Sequence, residues 1–307
     1  MSIKWNYYSI IYTNQLKQEV NEKILILGSS GLVGQNFIKK LDNFKVYSTY
    51  NKIKKMESDI YFDITDNMNI EKVLNSIRPD IIVNLCNIYK NLEFCENNKE
   101  LVKRINGNSL ETISKHANKI GAYLVSLSSD FVFDGKKGNY KEEDELNPIN
   151  FYGQTKAIGE NYVKNTAKKF CIVRTSMVFG KNKIRKTLPD HILEGIKDNQ
   201  KYKLINDQFM TPTHLDNLSS MLKEIIENKI QGVFHLVGKT KTTRFEFGIK
   251  LCEMLNIDKN LLVPVRHTEF NFSKFMPFDS SLNSQKASRI LSEKPLDLET
   301  ALKSYLS

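Results

Sequence analysis

The sequence predicts an α/β chain built on a parallel sheet with helices on both faces, and three observations predict it. Residues 23 to 40, KILILGSSGLVGQNFIKK, read as a short apolar strand, a glycine turn and a helix. Short apolar runs then alternate with helical patterns as far as residue 174, as in parallel strands joined by crossover helices. A serine pair closing one of those strands is followed by Tyr152 and Lys156, four residues apart. Together these give a Rossmann doubly wound parallel sheet.

The first strand, Lys23 to Leu27, has the length and apolarity of a buried parallel strand. Gly28, Gly31 and Gly34 follow at three-residue spacing. Gly28 suits a tight turn, Gly31 a close backbone approach to a pyrophosphate, and Gly34 close packing of the helix on the strand. The free N–H groups at the helix start would then face phosphates. Phe44 to Tyr50 reads as the second strand. Its end carries Ser48, Thr49, Tyr50, Asn51 and Lys52, with Lys54 and Lys55 beyond, and no acid. An acid there would bond the ribose hydroxyls of NAD. Asn51 and Lys52 are therefore expected at the adenosine end of a cofactor that is NADPH by preference, with NADH open.

Residues 59 to 62 form a short strand. Asp63 and Ile64 follow it, near the adenine in a doubly wound sheet, and Thr65 or Asp66 caps a helix over 68 to 77. Residues 81 to 85 are the next buried strand, and Cys86 and Asn87 at its carboxyl end point at the cofactor. The pattern predicts a continuous helix over 96 to 117, with Asn106 inside it. Strands follow at 122 to 127, 170 to 174 and 232 to 237.

The strand at 122 to 127 ends in Ser128, Ser129 and Asp130. If Tyr152 opens a helix, Lys156 shares its face. A tyrosine of ordinary pKa, about 10, is a poor proton donor at neutral pH, and a neighbouring ammonium favours its phenolate. A hydroxyl from Ser129 or Ser128 would hold a substrate oxygen beside the phenol. A carbonyl there, facing a nicotinamide, accepts hydride at carbon while Tyr152 protonates oxygen.

Bulk properties bound the rest. A chain of 307 residues forms one large domain or two modest ones. Hydrophobic residues at 40% and charged residues at 26% are ordinary for a globular protein. The net charge of +10 reads first as a solvated basic surface and second as attraction for anionic ligands such as nucleotides. No aromatic-basic motif supports nucleic-acid binding. Cys86, Cys95, Cys171 and Cys252 are scattered without a CxxC, as expected of reduced thiols in a cytoplasmic protein. The five histidines lack ligand spacing, so no metal site is expected. No apolar stretch approaches the roughly 20 residues of a membrane span, and residues 1–22 read as a surface extension without a signal-peptide core.

The segments GSSGLVG (28–34), FDITD (62–66), RPDIIVN (78–84), SSDFVFDG (128–135), NPINFYGQTKAIGE (147–160), VRTSMVFG (173–180), DQFMTPTHLDNL (207–218) and PFDSSLNSQKA (277–287) carry a resemblance. From about residue 23 onward the chain resembles the extended short-chain dehydrogenase/reductases, and more narrowly their dTDP-4-dehydrorhamnose reductase branch. The resemblance implies NAD(P)H-dependent reduction of the 4-keto group of a nucleotide-activated 6-deoxy sugar. It implies Ser129, Tyr152 and Lys156 as the catalytic residues, with Lys156 also holding the ribose. Gly28, Ser30, Gly31, Leu32, Val33, Gly34, Asp63, Ile64, Cys86 and Asn87 would line the cofactor. Ser128, Asp130, Phe131 and Ser176 would border the sugar. Ser176 and Met177 would border both ligands, and Arg174, Gln208 and Thr213 would be structural or near the sugar nucleotide.

The chain departs from the family pattern at Ser129, usually Thr, at Phe131, usually Tyr, at Leu85-Cys86-Asn87, usually alanine-rich, and at Met276, often Arg. Expected domains are a dinucleotide-binding one over 23–175 plus 212–237 and a smaller α/β substrate-binding one over 176–211 and 238–307. The alternative is a cofactor-binding regulatory subunit without turnover of its own, and a homodimer is held open.

Overall fold

The computed structural model describes residues 22–307 apart from 53, 55, 56, 58, 89, 271 and 272. The expected extension, Glu22 excepted, and Lys55 lie outside the described residues. In chain order the first half runs β1 (Lys23–Leu27), α1 (Leu32–Ile38), β2 (Lys45–Tyr50), β3 (Ile60–Tyr61), α2 (Asn67–Ile77), β4 (Ile81–Asn84), α3 (Leu92–Asn97), α4 (Lys99–Lys103), α5 (Ser109–Ile120) and β5 (Tyr123–Ser129). Then come α6 (Phe151–Thr166), β6 (Phe170–Thr175), β7 (Val178–Phe179), α7 (Leu188–Gly195), β8 (Tyr202–Ile205), β9 (Phe209–Met210), β10 (Thr213–His214), α8 (Leu215–Glu227) and β11 (Gly232–His235). The chain continues through β12 (Thr242–Thr243), α9 (Arg244–Leu255), β13 (Leu262–Val265), α10 (Gln285–Ile290) and α11 (Leu298–Leu306).

Seven strands form one parallel sheet in the order β11-β6-β5-β4-β1-β2-β3. The chain leaves β1 in one direction through β2 and β3, then returns to the other side of β1 at β4. That reversal opens a crevice at the carboxyl ends of β1 and β4. Side chains alternate across the sheet. Ile24, Ile81, Val125 and Val173 pack on one face with Phe37 of α1 and Leu218 and Leu222 of α8. Leu25, Ile82, Leu124 and Ile172 pack on the other with Leu74 of α2, Ile113 of α5 and Val163 of α6. Both faces are therefore dry, which is why these strands read as unbroken apolar runs. Ala287 and Leu291, at α10, also join the first face. A separate apolar cluster unites Ile192, Leu204, Phe247, Leu251, Leu262, Leu302 and Tyr305, beside three two-stranded sheets, β7 with β10, β9 with β12 and β8 with β13.

Two details shape the crevice. Gly28 has φ +80°, and a Cβ there would lie 2.8 Å from Cys86 N, while one on Gly34 would lie 2.6 Å from Gly28 O. The turn is tied to β2, where Ser29 Oγ donates to Thr49 O at 2.6 Å and Gly28 N donates to Thr49 Oγ1 at 3.3 Å. The helix expected over 96 to 117 is instead α3, α4, a π turn at Arg104–Asn108 and α5. Asn98 breaks it with φ −127° and ψ 45°. At the π turn α6 presses close: a Cβ on Gly159 would lie 2.8 Å from Asn106 O. Asn106 is buried and brackets the loop after β4, accepting from Ile88 N at 2.9 Å and donating to Ile88 O at 3.2 Å. As expected, Asp66 caps α2, accepting from Met68 N at 2.9 Å and Asn69 N at 3.3 Å.

Candidate active site

A cavity of about 730 Å3 opens at the carboxyl ends of the sheet strands. Ser129, Tyr152 and Lys156 all line it, as do Leu32, Val33, Asn87, Ser128, Asp130, Phe131 and Ser176. Asn150 sets the start of α6, its side chain accepting from Gly153 N at 2.7 Å. Tyr152 and Lys156 then rise one turn apart. Tyr152 is 7% exposed and meets the Phe131 ring edge-on at 6.1 Å. Lys156 Nζ donates to Leu127 O at 2.9 Å. Burial pulls its ammonium down to about 8, with Cys86 and Glu160 opposing. Burial likewise pushes the half-buried Cys86 thiol up to about 12.

Ser129 Oγ donates to Asp130 Oδ1 at 2.9 Å and accepts from Phe131 N at 3.2 Å. Asp130 Oδ2 accepts from Ser176 Oγ at 2.8 Å and from Ser280 Oγ at 2.7 Å. Burial raises the Asp130 carboxyl above its usual range, and the three hydroxyls oppose that rise. Ser128 lines the cavity, but its hydroxyl turns inward and donates to Glu160 Oε1 at 2.7 Å.

Glu160 belongs to a buried strut behind the cavity. Period-two alternation puts Arg174 on the face of β6 that α6 covers, so its guanidinium must find a partner there. Arg174 Nε and Nη2 donate to Glu160 Oε1 and Oε2 at 2.8 and 2.7 Å, and both side chains are almost fully buried. Arg174 Nη1 donates to Glu142 O and to His235 Nε2, each at 3.2 Å. Burial alone would raise the Glu160 carboxyl, but the Arg174 guanidinium, with Lys164 and Ser128, holds it below its usual range. Burial, then the Arg174 charge, pushes His235 down to about 3. Arg174 is therefore structural. So is Thr213, which donates to Ser176 O at 2.6 Å.

Other expected residues stand around the crevice without lining the cavity. Gly28, Ser30 and Gly31 form the turn into α1, and Gly34 lies in its first turn. A Cβ on Gly31 would meet only Gly28 O, at 3.3 Å, so the close approach that a pyrophosphate would need is open here. Asn51 and Lys52 follow β2 and are exposed. Asp63 Oδ1 accepts from Thr65 N and Oγ1 at 2.9 and 2.8 Å, while Ile64 packs into the second face. The glycine turn, Leu32, Val33 and Asn87 would be the residues to hold a dinucleotide with its nicotinamide toward Tyr152 and Lys156.

Arg185, Lys186, His191 and Arg244, which the sequence reading missed, line the same cavity. Arg244 Nη1 donates to Gln208 Oε1, and Gln208 Nε2 donates to Pro277 O at 3.1 Å. For Arg185 and Lys186 the signal was the run KNKIRK at 181–186, and charge runs are usually solvated surface; nothing in the sequence pointed to His191 or Arg244. Among the described residues no cluster of His, Cys, Asp and Glu could hold a metal ion, and no helix is long and apolar enough to cross a membrane.

The family model for the RmlD substrate binding domain matches residues 22–307. The dTDP-4-dehydrorhamnose reductase of Escherichia coli K12 is 32% identical over 282 residues, 86% of this chain and 90% of that protein. Methionine adenosyltransferase 2 subunit beta of Bos taurus is 24% identical over 253 residues, 80% of this chain and 75% of that protein. Among solved structures, a dTDP-4-dehydrorhamnose reductase from Bacillus anthracis in complex with NADP superposes with a TM-score of 0.82 at 26% identity, covering 93% of this chain and 99% of that one.

Proposed function

The chain belongs to the family of the RmlD substrate binding domain, and on that premise we propose that it reduces the 4-keto group of a nucleotide-activated 6-deoxy sugar. The cofactor is NADPH, with NADH as the alternative donor. One observation carries this reading: Ser129, Tyr152 and Lys156 meet in one cavity at the switch point of the sheet, and the cations Arg185, Lys186 and Arg244 line the same cavity.

When bound, the dinucleotide supplies the hydride. Tyr152 gives its phenolic proton to the carbonyl oxygen, and the Lys156 ammonium stabilises the phenolate left behind. Lys156 Nζ donates one proton to Leu127 O and has others for a ribose hydroxyl. Asn51 and Lys52 take the 2′-phosphate end. Phe131 packs against Tyr152 and limits water around the phenol. A dTDP-linked sugar is favoured by the relatives. The third apolar cluster supports a smaller substrate-holding domain over 176–211 and 238–307, against a dinucleotide-binding domain over 23–175 plus 212–237. The four free cysteines suit a reducing, cytoplasmic setting; a homodimer belongs to the same reading and is tested by sedimentation.

The likeness to methionine adenosyltransferase 2 subunit beta brings a second reading, a regulatory subunit without turnover of its own. The Ser129, Tyr152 and Lys156 set favours the first. NADPH and NADH oxidation is measured with dTDP-, UDP- and GDP-linked 4-keto-6-deoxy sugars, beside Tyr152→Phe. Turnover with one sugar, reduced about 100-fold or more in the variant, is expected. Tight cofactor binding without turnover on any of them overturns the reductase reading.

A further inference from the structure

A second cavity, of about 320 Å3, shares no lining residue with the first. Its lining comes from two stretches, 141–143 and 283–290. Backbone bonds stitch these together at their bases: Tyr140 N donates to Ser281 O at 2.9 Å and Asn283 N donates to Tyr140 O at 2.7 Å. The cavity sits against β11, the last strand of the sheet on that side. Two of its side chains close the strand's open edge. Lys286 Nζ donates to Val233 O at 2.7 Å, and Glu142 Oε1 accepts from His235 N at 3.1 Å. Glu142 O also accepts from Arg174 Nη1 at 3.2 Å. The walls are thus fixed by the fold before any ligand arrives.

The charges around this cavity do not cancel. Lys141, Lys286 and Arg289 face Glu142 and Glu143. Glu142 is partly spent on the His235 N–H, and Lys286 lies within its field. Lys286 has used one of its three N–H donors. Lys141 stands near Asp144, but Lys137 already pairs with that acid at 2.7 Å. Arg289 is exposed and has no hydrogen-bond or ion-pair partner among the described residues.

We propose that this second cavity binds a phosphate group, held by Arg289 with Lys141 and Lys286, apart from the catalytic crevice. The planar guanidinium matches two phosphate oxygens at once. A wall that is already ordered spares part of the cost of binding. The cavity has room for more than one phosphate, and the Gln285 amide on its lining has donors and an acceptor for hydroxyl groups. A phosphorylated polyol and free phosphate share this chemistry.

Binding of inorganic phosphate and of glycerol 3-phosphate is measured by calorimetry, with chloride holding the ionic strength constant. Saturable binding at one site per chain is expected for at least one of them. Arg289→Ala should weaken it at least about tenfold, as the loss of charge-assisted bonds does. Glu143→Gln should tighten it about two- to fivefold by removing a like charge from the rim. Both side chains are exposed, so the fold is not at stake. Lys186→Ala, which alters only the first cavity, should leave it unchanged. Several-fold tighter binding of glycerol 3-phosphate assigns the site to phosphomonoesters, and equal affinities assign it to free phosphate. Absence of saturable binding overturns the proposal, as does binding that is untouched by Arg289→Ala or lost in Lys186→Ala. None of these measurements needs turnover, so the reductase reading stands or falls separately.

Discussion

Raising the pH from 7 to 9 should remove the Lys156 proton, and with it activity, while making the fold more stable. Burial pulls this ammonium from 10.5 down to about 8. About nine in ten molecules then carry the charge at pH 7 and about one in ten at pH 9. The second-order rate constant kcat/KM reports the free enzyme, so it should fall about tenfold for each pH unit above 8. Stability moves the other way. The folded lysine titrates below its unfolded counterpart, so the unfolded chain binds more protons between about pH 8 and 10.5. Unfolding is disfavoured as pH rises through that window, by roughly 3 kcal/mol over its whole width. The assay pairs NADPH oxidation with thermal melts from pH 7 to 9.5, on the unsubstituted protein and Lys156→Met. The difference in Tm between them should shift in favour of the unsubstituted protein as pH rises, while its rate advantage shrinks. Ordinary alkaline unfolding lowers both together. A kcat/KM flat to pH 9.5, or an alkaline limb that survives in Lys156→Met, refutes the assignment.

Other outcomes follow from the same geometry. Arg174→Met should cost about 3–5 kcal/mol in urea denaturation, because it strands the Glu160 carboxylate in the interior; adding Glu160→Leu should recover part of that loss, and a single-variant cost under about 1 kcal/mol would mean that Lys164, 3.2 Å away, suffices as partner. Gly28→Ala puts a Cβ against Cys86 N at a φ that side chains rarely adopt. It should cost about 1–3 kcal/mol and weaken NADPH binding in a fluorescence titration, whereas unchanged affinity would separate the turn from the cofactor. Lys52→Glu should weaken NADPH roughly tenfold, about 1.4 kcal/mol, and leave NADH within about twofold. Equal losses for both dinucleotides would remove Lys52 from 2′-phosphate recognition.

Local features were the readable ones. The inner sheet strands announced themselves because strands dry on both faces are mostly apolar, and Asp66 was recognisable as a cap because its bonds reach only two and three residues ahead. The break in the expected 96–117 helix was not readable. Its apolar spacing is helical throughout, and the π turn answers to the approach of α6, which only the folded chain brings. The Tyr152 and Lys156 pair could be read because one helix carries both. The Asp130 cluster could not, since Ser176 and Ser280 lie 46 and 150 residues away. Ser128 was expected to face substrate because strand-end serines look alike; only the position of Glu160 decides which hydroxyl turns inward. The cations of the 181–186 run have the composition of ordinary solvated surface, and the connection between β7 and α7 brings Arg185 and Lys186 to the cavity.

On α6, Tyr152, Lys156, Glu160 and Lys164 follow one another at four-residue steps, so a single stripe begins in chemistry and ends in masonry. A helix can roll about its own axis without breaking any of its internal bonds. The clasp that Glu160 makes with β6, two turns beyond the phenol, is one of the contacts that hold this one in place. The aim of the phenol thus depends in part on residues that line no cavity. Replacing Tyr152 removes the proton donor, whereas replacing Glu160 leaves every reacting group in the chain and removes one anchor of the helix on which they are mounted.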